Sequence, residues 1–257
     1  MSKKYFIGGA LCILLLAGLA CNTLVPPRPE VSWDTRPEAL IVRGTFCCGL
    51  VPITLVQNYI PDVQIWGDGR MIWTQSNSTG NQRRVLEAHL TPEQMTDVLQ
   101  RAVNDGFFGW KDSYADYTVT DYPSQCLSIE LTGTSKSVCE YFKGAPKAFH
   151  TLYAYLANGA GLNGTDFVPT RGYLKSELQN YGGQPAPETR FHWPANSLGF
   201  SLSEATNGKW VEGEALAFAW RVVNENPWGE VIQEGEDYYQ ISVQIPSVNQ
   251  AEPPPTE

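Results

Sequence analysis

Apolar and polar positions change period several times along this chain, and each change marks an element. Leu127, Ile129 and Leu131 alternate with Ser128 and Glu130, the period of a half-buried strand. Thr132-Gly133 then offers a tight turn, since glycine reaches positive φ without steric cost. Folding Thr134–Tyr141 back on that turn sets Leu131 opposite Thr134, Leu127 opposite Val138 and Cys126 opposite Cys139. The cysteines fall at a non-hydrogen-bonded position, where facing Cα atoms approach closest. A Cys126–Cys139 disulfide is the expectation; two packed free thiols are the other reading.

A 3.6-residue period follows Thr91: Met95, Val98, Leu99, Ala102 and Val103 share one face. Thr91, Pro92 and Gln94 make an N-cap, a first-turn proline and a capping box, and Asn104-Asp105-Gly106 stops the helix. Phe107, Phe108 and Trp110 should pack beneath it. A second helix opens at Pro146 with Phe149, Leu152, Tyr153 and Leu156 inward. Strands are expected at Ala39–Phe46, at Val63–Trp66 and Arg70–Trp73 around the Gly67-Asp68-Gly69 turn, and at Arg83–Leu90. Glu212–Asn224 reads as a helix, favoured over a strand by its alanines and Glu-rich start. Tyr238–Ile245 belongs to a closing hairpin.

This order predicts an α+β fold: a mostly antiparallel sheet with two amphipathic helices packed on one face, plus a smaller C-terminal α+β part. The expected divisions are 38–160 for the main domain, 161–248 for the C-terminal extension or small domain and 249–257 for a disordered, Pro-rich tail.

Residues 1–20 carry Lys3-Lys4, then an apolar Tyr5–Ala20 too short for a comfortable membrane span. With Ala20 before Cys21, the segment resembles a bacterial lipoprotein signal peptide, which implies cleavage and lipidation at Cys21. Gly18 departs from the aliphatic residue usual three positions before the cysteine, so plain secretion and an uncleaved helix stay as other readings. Several acyl chains would anchor the protein stably. Residues 21–37, with Pro26, Pro27, Pro29 and Pro37, read as an extended tether. The expected location is the outer side of the bacterial membrane, held by lipid.

Cys48-Gly49 with Pro52, the Gly67–Arg70 turn, the Leu90–Gly106 helix, Phe107-Phe108, Asp112–Tyr114 and Thr120-Asp121-Tyr122-Pro123 form an ordered set. From Arg43 to about Gly159 the chain resembles a family of uncharacterised domains in bacterial exported proteins. The resemblance implies a fold type and an envelope setting, and no activity. The family spaces two cysteines apart at the first strand, whereas Cys47 and Cys48 are adjacent here. Vicinal bonding is strained, so each is expected to find a distant partner or stay free.

Charge and motifs narrow the chemistry. The net charge is −9 and no basic run exceeds Arg83-Arg84, so nucleic acid is not an expected partner. No C-x-x-C pair accompanies the three histidines, His89, His150 and His192, and no metal or cofactor is expected. Asp112, Asp116 and Asp121 lack the spacing of a calcium loop, and Asp68 reads as a turn residue. Triad, zincin, P-loop and dinucleotide signatures are missing, so catalytic residues stay unknown; paired carboxylates are invisible without geometry. Trp193, Trp210, Trp220 and Trp228 read as core before sugar platform.

The expected function is a non-catalytic module binding an envelope protein, peptide or glycan. It would show an exposed aromatic patch and no cleft with converging acids. The alternative is a secreted hydrolase of cell-wall or polymeric material, marked by a pocket with a perturbed carboxylate or histidine. A third reading is a metal or redox module built on Cys47, Cys48, Cys126 and Cys139.

Overall fold

In the computed structural model the element order begins with β1 (Leu40–Cys47), a short α1 (Ile53–Gln57), β2 (Val63–Trp66), β3 (Arg70–Ser76) and β4 (Arg83–His89). Next come α2 (Pro92–Asn104), β5 (Ser113–Ala115), β6 (Ser124–Leu131), β7 (Thr134–Tyr141) and α3 (Lys147–Ala157). The chain continues with β8 (Thr165–Asp166), β9 (Arg171–Leu178), α4 (Ala195–Leu198), β10 (Lys209–Glu212), α5 (Gly213–Glu225), β11 (Val231–Glu234) and β12 (Asp237–Gln244). The structure describes residues 31–255 except 78, 81, 228 and 230. The fold is α+β with sheet dominant.

One sheet runs β5-β7-β6-β1-β2-β3-β4-β8, and a smaller one runs β10-β9-β12-β11. All pairings are antiparallel except the edge pair β5–β7. The β6–β7 register is the one the alternation dictates, with Leu127 facing Val138 and Cys126 facing Cys139. Those cysteines form a disulfide, with Cα atoms 4.1 Å apart.

Both faces of the large sheet are used, and the side-chain period of two sorts residues between them. Met71 and Trp73 of β3, Leu86 of β4 and Leu127 and Ile129 of β6 share a core with Val98 and Leu99 of α2 and Phe149 and Leu152 of α3. Ile72 and Val85, on the opposite face, belong to a second core with Leu174 of β9, Leu216 and Val222 of α5 and Ile241 of β12. Double burial explains why Val63, Ile65 and Trp66 of β2 do not keep to one face and why even Gln64 is enclosed: all its residues are buried. The small β8, following α3, pairs with β4 and closes the edge of the large sheet.

Helix α2 is capped as its sequence implies. Gln94 N donates to Thr91 Oγ1 at 3.3 Å, and Thr91 N donates to Gln94 Oε1 at 2.9 Å. Gly106, at φ 85°, ends it. Segment 213–225 is a helix, because Ala215, Leu216, Ala219, Val222 and Val223 make a buried 3.6-period face.

Three expectations need correction. The body starts before residue 38: Trp33 Nε1 donates to Gly67 O at 3.0 Å and Thr132 N donates to Ser32 O at 2.8 Å. The large indole finds a place against the first core, so residues 31–37 are not free tether. The free tail does not begin at 249 either. Asn249 is 1% exposed, and its Nδ2 donates to Gln57 O at 3.1 Å; a buried amide needs such partners. Finally, the Cys47 and Cys48 sulfurs lie against each other and not against a distant partner. Cys126 is already committed to Cys139, and the residue facing Cys47 on β6 is Ser124, so among the described residues no distant sulfur is offered.

Candidate functional site

A cleft of about 660 Å³ opens at the end of the large sheet where β1 finishes. That volume falls within the range of about 300–1,000 Å³ usual for small-molecule sites. Phe46, Cys47 and Cys48 form one wall, and Val51, Leu55, Tyr59 and Ile60, on and around α1, form another. The β3 end brings Thr74, Gln75 and Ser76; Arg83 opens β4 on the same side, opposite Ser76. Ala157 and Asn158, at the end of α3, and Pro123 and Pro227 complete the lining. Residues 31–33 meet Gly67 and Thr132, at the other end of the sheet. The chain thus enters the body at one end and the cleft opens at the other.

Two charged groups converge on this cleft. Asp62 follows Pro61, directly before β2, and its Oδ2 accepts from the Tyr153 hydroxyl at 2.7 Å. The Tyr59 hydroxyl lies 3.5 Å from Asp62 Oδ1 and accepts from Phe46 N at 2.7 Å. Burial pushes the Asp62 carboxyl above the usual carboxylate range, against the opposing pull of both phenols and Arg83. Burial, reinforced by the Asp62 charge, raises both tyrosines as well.

Arg83 is the other charge. Its Nε donates to Asn224 Oδ1 at 2.7 Å, so α5 positions it. Asn224 is itself held through Nδ2 on Trp220 O at 2.8 Å. Arg83 Nη2 is shut off from solvent without a hydrogen-bond partner. Burial lowers the guanidinium to about 10, offset by Tyr59 and Asp62; it remains a cation at neutral pH. Among the described residues, no carboxylate oxygen lies within 4.0 Å of it. Asp62 and Arg83 feel each other but do not form an ion pair.

Around the mouth lies an apolar, aromatic rim. Leu50 and Ile53 are 88% and 64% exposed and Phe46 is 41% exposed. Phe46 meets Tyr122 edge-on at 6.2 Å, and Tyr122 continues to Phe142 at 5.3 Å and Tyr141 at 6.4 Å.

The residues singled out from sequence are scattered. His89 lies 3.9 Å from Asp68, His150 lies 3.5 Å from Glu140, and His192 bridges to Gln233; none lines the cleft. Asp112 pairs with Lys136 and Asp116 with Lys143 at 3.0 Å, while Asp68 Oδ1 accepts from Arg70 N at 2.9 Å in its turn. Trp193 is buried and donates to Phe200 O at 2.9 Å. Cys21 and Trp228 lie outside the described residues. Of the four cysteines of the body only Cys47 and Cys48 reach the cleft. Sequence reasoning missed Tyr59, Asp62, Arg83 and Tyr153. One signal was available: a carboxylate directly preceding the mostly apolar strand Val63–Trp66 is one forced against a core.

Residues 42–160 match the family model described as "Domain of unknown function (DUF6438)". Neither a curated protein nor a solved structure matches the chain. The family region supplies Tyr59, Asp62, Arg83 and Tyr153, and Asn224, beyond it, holds Arg83 in place.

Proposed function

We propose that this is an exported bacterial lipoprotein, anchored through Cys21, whose body captures a ligand in the β1-end cleft without transforming it. The carrying observation is one half-buried carboxylate and one half-buried, partly unpartnered guanidinium in a cleft with an apolar rim. Such polarity orients a ligand. Turnover of a glycan would ask for a second, suitably spaced carboxylate, which the described lining lacks; acyl transfer would ask for an activated nucleophile, and the hydroxyl beside Asp62, the Tyr59 phenol, is instead pushed up by burial. The opening away from Val31 suits a body tethered at its N-terminal side. A hydrolase remains the second reading because the raised Asp62 carboxyl fits a general acid.

Two measurements test the reading. Expressed in a lipoprotein-competent bacterium, the wild type should carry acyl mass on Cys21 and partition with membranes, and Cys21→Ala should lose both. A soluble, unmodified wild type refutes the anchor. Incubated with an envelope extract, the protein should retain small molecules that elute unchanged and that Arg83→Met fails to retain. Accumulating fragments would move the protein to the hydrolases.

A further inference from the structure

Asp62 and Arg83 are half-buried charges with no direct counter-charge among the described residues, where enclosed charges are ordinarily paired. Arg83 spends Nε on Asn224 and its Nη2 is enclosed, so Nη1 is the donor left for a ligand in the cleft. Asp62 is satisfied by phenols, with no cation in contact among the described residues. Both groups belong to the lining of one cleft, and neither neutralises the other directly. A purely anionic ligand would answer Arg83 and confront the Asp62 carboxylate. A purely cationic one would answer Asp62 and confront the guanidinium. A ligand carrying both charges close together answers each pole.

We propose that the cleft is a site for an amino-acid zwitterion, with the ligand carboxylate on Arg83 and its ammonium on Asp62. A guanidinium N–H makes a strong, charge-assisted hydrogen bond to a carboxylate. Asp62 Oδ1, whose phenol lies 3.5 Å away, is the less committed oxygen and the natural acceptor for an ammonium. Val51, Leu55, Ile60 and Phe46 give the ligand's body an apolar wall, which favours a leucine- or phenylalanine-like side chain. The volume leaves room for a second residue, so a free apolar amino acid and a short apolar peptide share this chemistry.

This inference rests on the binding reading above and can fail without it. Isothermal titration calorimetry on the purified wild type would use L-leucine, L-phenylalanine and the dipeptide Leu-Leu as probes. The controls are 4-methylpentanoate, which lacks the ammonium, and isopentylamine, which lacks the carboxylate. At least one zwitterion should saturate the protein, with each single-charge control weaker by about tenfold or more. Arg83→Met and Asp62→Asn should each lose about tenfold or more, and Arg83→Lys should retain part of the affinity because it keeps the charge but not the Asn224-held position. The probe comparison on unmodified protein stands even if a variant fails to fold. If 4-methylpentanoate binds as tightly as leucine, the zwitterion assignment is wrong and the cleft remains a binding site for anions. If no probe or control saturates the protein while ligands are still retained from an envelope extract, the zwitterion assignment alone falls. If neither occurs, both readings fall.

Discussion

Replacing Cys126 and Cys139 together by alanine removes the disulfide cross-link between β6 and β7. The bond closes a short loop, with a sequence separation of 13, and the chain-entropy relation assigns such a loop about 3 kcal/mol. Both side chains are only half-buried, so truncation to alanine removes little apolar contact and the loop term should dominate. The native ladder should survive, because β6 is also paired along β1 from Val42↔Ile129 to Cys47↔Ser124. Urea unfolding followed by tryptophan fluorescence is a suitable assay. With a slope near 2 kcal/mol/M, the midpoint should fall by about 1.5 M while the slope stays close to wild type. A midpoint shift below about 0.5 M would refute the reasoning. It would mean that the turn at Thr132-Gly133 already closes this loop in the unfolded chain, or that the two sulfurs are not bonded in solution.

Three further outcomes are expected. Burial keeps a proton on folded Asp62 at pH values where the unfolded chain has released it. Its contribution is therefore full below the ordinary carboxylate value and is lost as pH rises through the raised one. The melting temperature of Asp62→Asn should gain on wild type as pH rises from about 4 to 8, and parallel curves would contradict the assignment. Gly164→Ala should cost about 1–3 kcal/mol by overpacking, since the added Cβ would sit 2.7 Å from Trp73 Cζ2 and 3.1 Å from Leu86 Cβ; calorimetric melting reads this directly. Alkylation of denatured protein, mapped by peptide mass, should leave Cys47, Cys48, Cys126 and Cys139 unmodified before reduction and label all four after it. Labelled Cys47 or Cys48 in the unreduced sample would show that the vicinal pair is open.

Local rules were enough for the elements whose partners are near in sequence. The β6–β7 register and its disulfide follow from a period of two and one glycine turn. The capping box of Thr91 and Gln94 places the start of α2, and Asp68 declares its turn. Longer-range facts were not legible in this way. β2 and β3 read as ordinary strands, but the run Met71-Ile72-Trp73 and the full burial of Val63–Trp66 meant two covered faces, and what covers the second is built largely from residues 167 to 248. Trp33 and Asn249 looked like tether and tail because their partners, Gly67 and Gln57, are remote along the chain. The site is the extreme case. Tyr59, Asp62, Arg83, Tyr153 and Asn224 share no spacing, and no periodicity marks them. They meet because antiparallel pairing returns the ends of β1 and β3 and the start of β4 to one edge, while α5 packs against the far face and reaches Arg83. Hydrogen bonding and hydrophobic period act over a few residues and can be read from neighbours; the convergence of buried charges depends on which distant surfaces exclude water together, and that is a property of the packed chain.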